Sequence, residues 1–146
     1  MPLHDPEKMV KAGYELRKSV VRLRDLGKLS RDVFMKDPDK TAAAKYHFIV
    51  AVESAVDLCN HVIARNMYRV PDDYGDTFTV MGEVGALAPD LVVELVKMAA
   101  FRNRFLYLHL ETDDAQVYEL IRNRLNHFKL FLDAISRFLK RDPSFS

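Results

Sequence analysis

At 146 residues and 16.8 kDa, the chain has room for one domain of ordinary size and none for a second. Hydrophobic residues at 49% and charged residues at 29% exclude a disordered chain, and 22 basic against 21 acidic residues exclude a uniformly cationic surface, so any RNA or DNA contact must be local. The single cysteine, Cys59, excludes an internal disulfide and a thiolate-built zinc site, which fits a reducing cytoplasmic compartment. The opening MPLHDPEKMVKAG lacks the apolar centre of a signal peptide. No stretch approaches the roughly 18 uncharged apolar residues needed to cross a bilayer, so the expectation is a protein without a membrane anchor.

Only 5 Gly and 6 Pro leave little material for β-turns, and the periodicities are helical throughout. Met9, Val10, Tyr14, Leu16, Val20, Leu23 and Leu26 make a first stripe, interrupted near Gly27, with a further turn or two between Leu29 and Lys36. The Asp37-Pro38 step opens a second stripe through Tyr46, Ile49, Val50, Val52, Ala55, Val56, Cys59, Val62 and Ile63, since Pro at the first helical position gives up a donor that has no partner there. From Val70 to Pro89 the composition shifts to a loop around one short helix, about Asp76 to Val84. Pro89 then starts a helix through Leu91, Leu95, Met98, Ala99 and Phe101. A last, long amphipathic helix runs from a Thr112 cap, with Asp113 and Asp114 at its positive end, through Val117, Leu125, Phe131 and Leu139. The pattern predicts an all-α fold: an antiparallel four- to five-helix bundle over residues 1–146, with the stripe aromatics and methionines in the core.

Phosphate-cradling glycine loops, His-Glu-x-x-His metal motifs and nucleophile elbows are absent from the sequence. His47 and His61 share a stripe but stand roughly 21 Å apart along a helix, too far to hold one metal ion, and read as packed or interface residues. The basic runs Arg17-Lys18, Arg22, Arg24 and Lys140-Arg141 have acids nearby and read as solvated faces. The unusual segment is Phe101 to Glu111, where Arg102, Asn103, Arg104, Tyr107 and His109 crowd among apolar residues. An arginine buried without a partner costs several kcal/mol, so these groups either pair with acids elsewhere or line a cleft for an anion. On an unbroken helix Arg102 and His109 lie about 20° apart on one face, with Tyr107 roughly 140° away from Arg102.

Phe101-Arg102-Asn103-Arg104 followed by His109, then Asp113-Asp114-x-x-Val117-Tyr118-Glu119-Leu120, preceded by Lys45-Tyr46-His47-Phe48 and Ala55 to His61, resembles the HepT-like branch of the HEPN superfamily along nearly the whole chain. That resemblance implies a HEPN-like bundle that forms a homodimer, a metal-independent endoribonuclease acting as the toxin of a toxin–antitoxin pair, and a minimal nucleotidyltransferase as antitoxin that attaches AMP to a motif tyrosine. It implies no cofactor. Carried onto this chain, Arg102 and His109 are the catalytic pair, Asn103 and Arg104 meet RNA phosphate, and Tyr107 is the nearest candidate for modification or an auxiliary role. One departure stands out: the branch usually has His where this chain has Tyr107, and Tyr where it has His109. The expected chemistry is attack of a 2′-hydroxyl on the adjacent phosphate, with His109 moving the proton and Arg102 holding the phosphorane oxygens. It needs Arg102 open to a cleft; if the helix continues to Leu110, His109 shares the Arg102 face, whereas a helix ending near Leu106 directs Tyr107 at the cleft and makes a weak or inactive ribonuclease. The alternatives are a HEPN-like module that binds a nucleotide or partner enzyme without cutting, and a structural dimer in which Arg102 pairs with Asp57 or Glu53.

Overall fold

Short polar residues and prolines set most of the helix starts. The computed structural model describes Asp5 to Tyr107 and Asp113 to Lys140. Asp5 accepts the Glu7 N–H and Pro6 takes the first helical position of α1 (Pro6–Gly27). Ser30 accepts the Val33 N–H to begin α2 (Arg31–Met35), and Asp37 accepts from Asp39 and Lys40 ahead of Pro38 in α3 (Pro38–Arg65). Asp73 accepts the Asp76 N–H at 2.7 Å to begin α4 (Tyr74–Glu83), and Pro89 begins α5 (Pro89–Phe105). The C-terminal part is α6 (Asp114–Asn123) and α7 (Asn126–Leu139).

The architecture is an all-α bundle organised on α3. α1 runs back along it, so that the Asp5 N–H at the start of α1 reaches His61 Nε2 near the end of α3 at 2.9 Å. α4, α5 and α6 close its other sides. Phe48 sits at the centre, edge-on to Phe105 of α5 at 5.3 Å and to Phe128 of α7 at 6.2 Å between ring centres. α1 ends where α6 comes close: a Cβ added to Gly27 would lie 3.1 Å from the Ile121 carbonyl oxygen. By length and composition α3 is apolar enough to cross a membrane, contrary to the expectation that no stretch comes near this. Here that apolarity is spent on the core, where Phe48, Val52, Ala55, Val56, Cys59 and Val62 are buried.

Two expectations change. The single long C-terminal helix is two helices, broken at Arg124 and Leu125. Arg124 leaves helical geometry while its guanidinium bonds Glu94 of α5 at 2.8 Å. Leu125 stays buried through the break, so the apolar spacing continues in step across it. The described residues thus form seven helices rather than four main ones and a short one. Secondly, not every stripe residue is core: Val10, Tyr14 and Tyr46 are 71%, 60% and 57% exposed. The Thr112 cap lies outside the described residues.

Candidate active site around Arg102

Arg102 projects from the last turns of α5 into a frame made by three elements. Its Nη2 donates to Glu53 Oε1 of α3 at 2.6 Å, and its Nη1 donates to Asn103 Oδ1 at 2.9 Å. The guanidinium carbon lies 4.4 Å from the centre of the Tyr74 ring at the start of α4, a cation–π distance. Nε is buried and has no acceptor. The side chain is 15% exposed, which replaces the expected open arginine with a held one paired to Glu53. Glu53 itself is less than two-thirds covered, so the pair contributes on the order of 1 kcal/mol or less to stability. What it fixes is orientation, because a planar fork pinned at one corner and stacked on a ring keeps its remaining N–H groups aimed in one direction. Next to it, burial raises the pKa of Asp57, and the Glu53 charge raises it further.

α5 ends at Phe105, short of the Leu110 that a shared Arg102–His109 face needs. Phe105 is fully buried against Phe48 and Phe101, and Leu106 caps the helix. Tyr107 donates its N–H to the Arg104 carbonyl at 3.1 Å and exposes its side chain. His109 lies outside the described residues. Asn103 is on the exposed side, engaged with Arg102. Arg104 turns to the start of α6, where its Nη2 meets the buried Asp113 Oδ1 at 2.5 Å, so this cation is already matched by a carboxylate.

Sequence reasoning passed over Lys45 as a functional residue. Only 1% exposed on α3, it brings Nζ within 2.7 Å of Asp114 Oδ1, a charge contact not aligned as a hydrogen bond. The signal was present: Thr41, Lys45, Phe48 and Val52 follow helical spacing on one buried face, and a lysine there demands a buried anion. Asp113 and Asp114 are therefore clamped from α5 and α3, in addition to standing at the positive end of α6. His47 and His61 are separate, as expected. His61 accepts from Asp5, whereas the pKa of His47 is lowered by burial and then by the charges of Arg22 and Lys18.

Residues 16–135 match the family described as Ribonuclease HepT-like. The mRNA nuclease HepT of Shewanella oneidensis is 25% identical over 83 residues, which is 57% of this chain and 62% of that protein, so the alignment spans less than two thirds of the relative. A toxin–antitoxin crystal structure with AMP-PNP superposes with a TM-score of 0.84 at 18% identity, covering 90% of this chain and 98% of that one. A tri-AMPylated Shewanella oneidensis HEPN toxin in complex with an MNT antitoxin gives 0.81 at 20% identity, covering 89% and 97%. At these identities the two structures establish likeness of fold.

Proposed function

Because this chain belongs to the HepT-like family, we propose that it is a metal-independent endoribonuclease, the toxin of a toxin–antitoxin pair. The observation that carries the reading is the family match across residues 16–135, which takes in both the Arg102 end of α5 and the clamped start of α6. In the proposed step a ribose 2′-oxygen attacks the neighbouring phosphorus while His109 removes its proton. The P–O5′ bond breaks, leaving a 2′,3′-cyclic phosphate and a 5′-hydroxyl that takes its proton from solvent. Arg102, held on Tyr74 by Glu53, offers its free N–H groups to the phosphorane oxygens, and Asn103 steadies it. Arg104, bonded to Asp113 but 57% exposed, stands by as an auxiliary cation for RNA phosphate.

The whole chain works as one domain in the cytoplasm and as a homodimer that brings two copies of the motif to one cleft. The partner is a minimal nucleotidyltransferase, for which Tyr107, exposed just past α5, offers a phenol for AMP transfer. A second reading draws on the end of α5 at Phe105 and on the Glu53 pair: a weak or inactive module that binds a nucleotide or the partner enzyme. Incubating purified protein with RNA, with and without EDTA and beside His109→Ala, separates the two. EDTA-resistant cleavage abolished by the substitution supports the nuclease; no cleavage supports the module. Sedimentation showing only monomer at micromolar concentration contradicts the dimer.

A further inference from the structure

Among the described residues, no acid forms a salt bridge with the basic run Arg17, Lys18, Arg22 and Arg24 of α1. Tyr14, Lys18 and Arg22 follow one another at four-residue steps on α1, which places them along one face, and all three are exposed. No salt bridge ties Lys18 or Arg22 to a carboxylate among the described residues; the nearest such pair, Lys28 with Asp25, sits at the C-terminal end of α1. Beside them on α3 stands Tyr46, 57% exposed, its ring edge-on to His47 at 5.2 Å. α1 packs antiparallel along α3, with Asp5 at His61, which brings the Lys18–Arg22 stretch alongside His47 and Tyr46; the His47 pKa, lowered first by burial, is lowered further by both cations. A large apolar ring left in water beside unpaired cations is poor economy for a solvated face. It is the combination that single-stranded nucleic acid uses: charge along the backbone and an aromatic plane for a base.

Position strengthens the case. Tyr46 and Glu53 lie two turns apart on the same face of α3, about 10 Å along the axis. Glu53 is the residue that holds Arg102. A strand whose scissile phosphate meets Arg102 can therefore run along α3 and reach Tyr46 with nearby nucleotides.

We infer that Tyr14, Lys18 and Arg22 of α1 with Tyr46 of α3 form a subsite for single-stranded RNA, Lys18 and Arg22 contacting phosphates and Tyr46 stacking on a base. This rests on the nuclease reading for its role in cleavage but not for binding itself. The test is fluorescence anisotropy of a labelled single-stranded 2′-O-methyl RNA dodecamer, which lacks the attacking hydroxyl, titrated with the full chain at several salt concentrations. Tyr46→Ala is expected to weaken binding about tenfold while Tyr46→Phe, which keeps the ring, stays near wild type. Lys18→Gln with Arg22→Gln is expected to flatten the dependence of log K on log salt by about 1.4, two phosphate contacts on a single strand. Circular dichroism confirms that each variant is folded. Wild-type protein that fails to bind, or variants that bind as wild type does, overturn the subsite. So does a loss of oligomeric state in the variants without loss of RNA binding, which assigns the patch to a protein contact. Binding that behaves as expected in a protein that cuts no RNA upholds the subsite and refutes the nuclease reading alone.

Discussion

Replacing Lys45 by methionine keeps most of the side-chain volume and removes the charge that faces Asp114. The lysine is 1% exposed and the Asp114 side chain 12%, so solvent cannot step in to screen the carboxylate left behind. Breaking one side of a buried pair costs about 3–5 kcal/mol. At about 2–4 °C per kcal/mol for a chain near 150 residues, the melting temperature of Lys45→Met falls by roughly 6–20 °C. Replacing both partners, Lys45→Met with Asp114→Leu, exchanges the pair for apolar packing and is expected to return to within about 1 kcal/mol of wild type. Thermal unfolding of the wild type, both single variants and the double variant closes a double-mutant cycle, with a coupling of about 2 kcal/mol or more. A single variant that melts within about 3 °C of wild type, or a double variant as unstable as the worse single one, refutes the reasoning.

Three further outcomes follow from the same geometry. Burial pushes the Cys59 thiol far above its ordinary range, so iodoacetamide at pH 8 should label it only on unfolding; labelling of folded protein at the rate of a free thiol contradicts this. Hydrogen bonds from Arg69, then from the Asp72 N–H, hold the Asp76 carboxyl down to about 2. Since that lies below the ordinary value of 3.8, the tie between the α3–α4 connection and α4 is present above pH 3.8 and is lost as pH falls toward 2; Arg69→Gln should return the carboxyl NMR midpoint toward 3.8. The His47 imidazole should titrate below 6.5, and Arg22→Gln with Lys18→Gln should raise its midpoint only part of the way, because burial is the larger cause. Recovery to 6.5 in that variant counts against the burial.

Local chemistry was the legible part. Asp37-Pro38 and Pro89 mark helix starts because a cap and a proline act within a few residues of themselves. The α6–α7 break left no trace in the apolar spacing, since Leu125 stays buried and in phase across it. Hydrophobic periodicity counts an aromatic alike whether it is buried or faces water, and so puts the exposed Tyr46 in the core stripe. Around Arg102 the residue types were readable and the arrangement was not. Both candidate acids were identifiable on α3, but choosing Glu53 over Asp57 depends on how α3 and α5 cross. The end of α5 at Phe105 depends on tertiary contacts with Phe48 and Asp113 that no short window contains.

The placement of the longest of the described helices, long and apolar enough to resemble a membrane span, early in the chain has a consequence during synthesis. When α3 leaves the ribosome only α1 and α2 exist to cover it, and the faces meant for α4, α5 and α6 stay bare until roughly 60 more residues have been added. At about 5–20 residues per second that interval is roughly 3–12 s. For those seconds a segment with the length and composition of a membrane span stands covered on one side only, so the nascent chain is most open to chaperone capture, mistargeting or aggregation between the completion of α3 and the arrival of α6.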